Sequence, residues 1–213
     1  MLSWTYSQLK PGVGKTTSAV FHAHALYALG KKPLLVDTDP AASALRWVDL
    51  AGGFPFPVVG LPIAGVHREV EHYIGNVDAL IFDAPQLEDH AKITRSTMRI
   101  ANCWIATVAP AGIEVDRMSR VSDEWDDVQS LRHEPADEVV LLNRTNRAEA
   151  TRTGPDAEVR DVLTERGYHV LQTQIPHHDG LYRQAFGLPV EVEGTAYLPL
   201  AEELLKRAEE RAA

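Results

Sequence analysis

The sequence predicts an α/β fold in three layers: a mostly parallel central sheet of about seven strands with helices on both faces. Three observations point to it. Short apolar runs alternate with amphipathic segments along nearly all of the 213 residues, the pattern of parallel strands joined by helical crossovers. Several runs close on a residue able to do chemistry (Lys10, Asp37 and Asp39, Asp83, Asn143), as strands of an open sheet do at the edge where ligands bind. A glycine-rich turn, PGVGKTT at 11–17, lies between the first run and the first helical segment.

Strands are expected at SWTYSQ (3–8), KPLLVD (32–37), FPVVG (56–60), DALIFD (78–83), CWIATVA (103–109), EVVLLN (138–143) and HVLQTQI (169–175). The first is unusually polar for a central strand. KTTSAVFHAHALYAL (15–29) has helical spacing, and AGGFPFPVVGLP (51–62) reads as a loop around a short edge strand. The final segment reads as a helix after Pro199, with Leu200, Leu204 and Leu205 on one side. One domain over 1–213, closed by a helix at 199–213, is therefore expected.

A formal net charge of -9 argues against a surface coated for constant nucleic-acid binding, though it leaves room for a local basic face whose binding would be conditional and salt-sensitive. The single cysteine, Cys103, excludes a disulfide framework within the chain and fits a reduced, cytoplasmic setting. No apolar run approaches the roughly 20 residues needed to span a bilayer. The acidic C-terminal helix suits an anionic membrane surface poorly, so no membrane partner is expected.

In PGVGKTT, Gly12 and Gly14 can turn successive N–H groups inward while Lys15 and Thr16 open a helix, which makes an anion nest at a helix N-terminus. Lys15 would reach β- and γ-phosphates, Thr16 would complete a Mg²⁺ shell, and Thr17 would lie near the α-phosphate. Leu9 stands where the usual phosphate-loop pattern has a glycine, so a chance glycine-rich turn is the competing reading. LLVDTDP, with two carboxylates at a strand end, and ALIFDAP, an apolar strand ending in Asp83, weigh against chance. Asp83 has the form of a Walker B carboxylate that holds Mg²⁺, usually through water.

The stretch KPGVGKTT (10–17) resembles the deviant Walker A motif, K-G-G-x-G-K-S/T-T, of the ParA/MinD family of P-loop ATPases. In that family an early lysine, here Lys10, is the signature and the first Walker glycine is not required. VDTDPAASALRW (36–47) is similar to the family's Walker A′ segment and ALIFDAP (79–85) to its Walker B. VAPAGIEVDRM, VVLLNRT and IPHHDGLYRQAFGLPV continue the likeness over roughly 5–195, with small ParF-like partition proteins the nearest branch. Three departures stand out. Pro11 replaces a glycine and offers no N–H, Ala41 and Ala42 replace Gln-Gly, and His177 stands near a usual arginine or lysine.

The resemblance implies a three-layer P-loop NTPase fold, ATP and Mg²⁺ as ligands, and Gly12, Val13, Gly14, Lys15, Thr16 and Thr17 as the nucleotide cradle. Asn143 and Pro176 would lie on the adenine side, although Asn143 is equally readable as a turn residue. Thr16, Asp37 and Asp83 would serve Mg²⁺, directly or through its hydration shell, and Asp39 would orient the attacking water. Lys10 would reach a partner's phosphates across an ATP-dependent homodimer. A centromere-binding (ParB/ParG-like) protein and nonspecific DNA are the implied partners, with nucleoid association in the ATP state.

Two basic groups, Lys92, Arg95 and Arg99 and the set Arg144, Arg147 and Arg152, are candidate DNA contacts or ordinary solvated faces. Spacing of the histidines indicates no further metal site. Competing functions are a small-molecule ligase of the same superfamily, resembling dethiobiotin synthetase or cobyrinic-acid amidase, and a weakly hydrolysing positioning scaffold.

Overall fold

Alternation of side chains along the strands divides the apolar core of this computed structural model in two; residues 1–146 and 153–213 are described. The strands are β1 (Leu2–Ser7), β2 (Pro33–Asp37), β3 (Val58–Gly60), β4 (Ala79–Asp83), β5 (Cys103–Val108), β6 (Asp137–Thr145) and β7 (Ile175–Pro176). They form one seven-stranded, all-parallel sheet ordered β3-β2-β4-β1-β5-β6-β7. Leu35, Ile81, Ile105 and Leu141 face one core with helices α1 (Lys15–Ala28), α2 (Ser43–Leu50) and α7 (Tyr197–Ala212). Leu34, Val36, Phe82, Trp104 and Leu142 face the other with α3 (Val66–Glu69), α4 (Leu87–Met98), α5 (Gly112–Gln129) and α6 (Pro155–Glu165). Burial on both faces is why these strands read as near-continuous apolar runs. The chain thus has the α/β P-loop NTPase fold, and FPVVG does supply the short edge strand β3.

The polar β1 lies at the centre of the sheet, and its two faces explain its composition. Trp4 and Tyr6 enter one core, while Ser3, Thr5 and Ser7 alternate onto the opposite face, where Thr5 meets α4 and Ser3 the turn after it. There the Ser3 hydroxyl donates to the carbonyl of Ile100 and to Asn102, and the Thr5 and Thr97 hydroxyls meet at 2.8 Å. Small hydroxyl side chains allow a close approach of α4, and all but Ser7 find partners among the described residues, which keeps their burial inexpensive.

Two boundaries differ from expectation. HVLQTQI yields only a bridge from Val170 to Val140 and the two-residue β7, because side chains satisfy its backbone elsewhere. Arg160 donates to the carbonyl of Leu171 at 2.6 Å, and the Glu203 carboxylate accepts the N–H groups of Gln172 and Thr173, both at 2.8 Å. The last helix begins at Tyr197, with Pro199 inside its first turn, where a missing N–H forfeits no intrahelical bond.

Candidate nucleotide site

Parallel pairing brings the ends of three strands together. Asp37 of β2 and Tyr6 of β1 are both in register with Asp83 of β4. The loop that follows β1 therefore emerges directly over Asp83.

In that loop Gly12 and Gly14 adopt φ values of 85° and 91°, left-handed angles that glycine takes without strain. Gly14 is also held in a close approach, since a Cβ there would meet Asn143 Nδ2 at 2.4 Å. As N-cap of α1 it supplies no side chain, and no side-chain hydrogen bond caps the helix, so the first N–H groups are directed at the loop's concavity. A cavity of about 530 Å³ opens over Pro11, Gly12, Gly14, Lys15, Thr16, Thr17 and Asp39. A second of about 530 Å³ adjoins it, lined by Asn143 and Pro176 with the aromatic Trp47, Tyr182 and Phe186.

Charge in the floor of the site is unbalanced. Asp83 is 1% exposed, and among the described residues neither of its carboxylate oxygens has a hydrogen-bond partner. Burial, reinforced by the nearby Asp37, pushes its pKa up to about 7, with Thr16 and Lys15 opposing. Lys15 is also buried; desolvation lowers its pKa against the attraction of Asp83 and Asp39. Asp37 is raised by burial, opposed by its backbone hydrogen bonds. It accepts the N–H groups of Asp39 at 3.1 Å and Leu45 at 3.0 Å, which fixes the β2–α2 turn.

An orphaned buried carboxylate beside a threonine, beneath open helix N–H donors and a buried lysine, fits a hydrated divalent cation carrying polyphosphate. Thr16 and Asp83 are the residues that would hold the cation, with Lys15 and the loop amides on the phosphates.

Lys10 is not part of this cavity. Its ammonium pairs with Glu88 at the start of α4, and Arg120 lies 4.0 Å from the same carboxylate. The first turn of α4 is itself tied to the loop, because the N–H groups of Leu87 and Glu88 donate to the carbonyls of Gln8 and Leu9. Asn143 is 6% exposed; its amide donates to the Val13 carbonyl at 2.8 Å and accepts the N–H of Arg144 at 2.9 Å. Ala42 holds φ 51°, keeping the left-handed turn at the position where the Walker A′ pattern carries glycine.

Of the basic groups, Arg95 is already paired with Glu124 at 2.6 Å and Asp127 at 3.0 Å, so the Lys92, Arg95, Arg99 stripe has one of its three charges compensated. Arg147 and Arg152 lie outside the described residues. Sequence reasoning did not pick out Ser43, Gln86 and His90, which line the phosphate-side cavity, nor the aromatic wall of the other. Nothing in local sequence marks Trp47 or Tyr182, which reach the site only through folding. Among the described residues, no helix is long and apolar enough to cross a membrane.

Fold and site together define a nucleotide-binding P-loop protein. Residues 6–190 match the model of the CobQ/CobB/MinD/ParA nucleotide binding domain, and the chain belongs to that family. No curated protein matches the sequence. Solved structures do match in fold. Cobyrinic acid a,c-diamide synthase from Mycobacterium smegmatis, with bound ATP analogue and magnesium, superposes with a TM-score of 0.78 at 18% identity over 98% of this chain and 96% of that one. McdA from Cyanothece gives 0.72 at 16% identity over the full length of both chains. MinD from Aquifex aeolicus gives 0.71 at 19% identity over 99% and 97%.

Proposed function

We propose that this chain is an ATP-hydrolysing switch of the DNA-partition type. An ATP-bound homodimer would bind DNA without sequence preference and release it after hydrolysis stimulated by a centromere-binding partner. The observation that carries this reading is the position of Lys10. It stands outside its own phosphate cavity, held on the rim by Glu88, where it is available to another subunit rather than to its own nucleotide.

Bound Mg²⁺ would neutralise charge on the β- and γ-phosphates and lower the barrier to in-line attack. Thr16 and Asp83 position it, Asp83 directly or through water. Burial pushes the Asp83 carboxyl up to about 7, and a bound dication would favour its ionised form. Lys15 and the open N–H groups of α1 stabilise the phosphoryl oxygens from a desolvated position. Asp39, lining the same cavity, holds the attacking water, and Asp37 braces the turn that presents it. Asn143 and Pro176 form the base-side wall.

The competing reading is a ligase that phosphorylates a substrate carboxylate, and the fold likeness to cobyrinic acid a,c-diamide synthase favours it. Such an enzyme requires a substrate pocket at Asp37 and Asp39. Asp39 lines the phosphate-side cavity, whereas Asp37 is 1% exposed with its carboxylate bound to backbone N–H groups, so Asp39 alone of the two is open to a substrate.

The test is a titration of nonspecific duplex DNA with ATP, ADP or no nucleotide, using the wild type, Asp39→Ala and Lys10→Ala. Binding that requires ATP, strengthens in Asp39→Ala and disappears in Lys10→Ala is the expected result. A protein that holds ATP yet binds no DNA rejects the partition role; phosphate release that depends on a small carboxylate would establish the ligase.

A further inference from the structure

We infer that Arg144 is a nucleotide-contacting residue that reads the base-proximal end of the polyphosphate, and that the backbone is distorted to aim it there. The inference rests on the nucleotide-binding part of the reading above and not on the DNA-binding part.

Three observations converge on this residue. Arg144 has φ 62°, one of two non-glycine residues among those described with a left-handed backbone, a conformation disfavoured for side chains bearing Cβ. It is also the point at which β6 slips in register against β7, with Asn143 opposite Ile175 but Thr145 opposite Pro176. A bulge of this kind re-aims one side chain, and its left-handed position is ordinarily given to glycine. Finally, Arg144 lines both cavities, together with Gly14, Thr16, Thr17 and Ser43, so it stands where phosphate-side and base-side spaces join.

Asn143 acts as the bracket for this arrangement. Its amide nitrogen grips the Val13 carbonyl of the phosphate loop while its amide oxygen accepts the N–H of Arg144, tying the distorted residue to the loop. The guanidinium pairs with no carboxylate among the described residues, which leaves its donors for a ligand anion. Strain kept at a residue that points into a cavity marks a position held for binding rather than for stability. A guanidinium at the junction meets the phosphate nearest the ribose, a group common to ATP and ADP, whereas Lys15 lies deeper in the loop.

The test compares wild type, Arg144→Gly, Arg144→Asn and Arg144→Lys by direct nucleotide titration with Mg²⁺ and by thermal unfolding without nucleotide. Glycine and asparagine both tolerate the left-handed angle, so neither substitution strains the backbone there. Affinity for ATP and for ADP should fall together by about tenfold or more in both variants. Arg144→Lys should retain most of it, and the melting temperature of Arg144→Gly should be unchanged or higher. A purely structural Arg144 would instead lower the melting temperature and leave affinity intact. Wild-type affinity for both nucleotides in Arg144→Gly overturns the inference, as does loss for ATP alone, which would place the contact at the γ-phosphate. Equal weakening of adenosine binding, which would mean base recognition, also overturns it. A wild type that binds no nucleotide fails the functional reading itself, so the two failures are distinguishable.

Discussion

Replacing His22 with asparagine should remove one large, separable part of the acid sensitivity of this fold. His22 lies on α1, two turns beyond the phosphate-loop Gly14, with no exposed surface. Its ring packs edge-on against Trp4 at 5.0 Å and Tyr6 at 5.9 Å between centroids, Nδ1 meets the Tyr6 hydroxyl at 3.1 Å, and Nε2 has no partner among the described residues. Burial brings the pKa down from 6.5 to about 3. The folded protein therefore keeps this imidazole neutral while the unfolded chain protonates it below pH 6.5. Stability is fully present above pH 6.5 and is lost as pH falls, by about 1.4 kcal/mol per pH unit, until the folded pKa is reached. Two units of acidification, to pH 4.5, cost about 2.7 kcal/mol, a large part of a typical folding free energy. Asparagine offers Oδ1 or Nδ2 to the Tyr6 hydroxyl where histidine has Nδ1 and does not titrate. Its smaller volume costs about 1–3 kcal/mol at every pH. Urea unfolding at pH 7.5, 5.5 and 4.5, followed by tryptophan fluorescence, measures the difference. The advantage of wild type over His22→Asn should fall by about 2.7 kcal/mol between the extremes, so that it closes or reverses at pH 4.5. Parallel loss in both proteins would refute the buried neutral imidazole as the source. His24, also lowered by burial, is common to both and cancels.

Ala42→Gly should stabilise the protein by about 0.5–1 kcal/mol, the left-handed strain relieved less the entropy glycine loses on folding. That is a rise of about 1–4 °C in melting temperature, and no rise would mean the turn is unstrained. Gly14→Ala adds a Cβ at φ 91° and 2.4 Å from Asn143 Nδ2, so a loss of about 2 kcal/mol or more is expected together with loss of nucleotide binding in a titration. Glu88→Gln frees Lys10 from a half-exposed ion pair, worth at most about 1 kcal/mol in water. Its melting temperature should hardly move, while the proposed ATP-dependent dimerisation, followed by sedimentation, should tighten by up to about fivefold. Unchanged or weaker dimerisation would show that Glu88 does not compete for Lys10.

Where sequence and structure agree, the physics is local. Lys15, Thr16 and Gly14 lie within one turn of each other, and a glycine-rich loop running into a helix has little choice but to present N–H groups to an anion. The apolar runs of β2, β4, β5 and β6 announce themselves because both sheet faces are covered. Where the two differ, a distant partner decides. HVLQTQI has strand composition, yet Arg160 and Glu203 take over its backbone groups, and neither contact is visible from the segment itself. Arg95 looks free along α4 and is neutralised from α5.

The sequence by itself determined the layer architecture, the phosphate loop and the Asp83 strand end, because periodicity and spacing along the chain are sufficient for each. Only the tertiary structure decided that β1 could be polar at the sheet centre, that Lys10 rests on Glu88, and that Arg144 bulges into the junction of two cavities. Those features depend on which elements are packed together. Side chains from residues about 30 to 90 apart in the chain must meet before their burial, pairing or strain has any value.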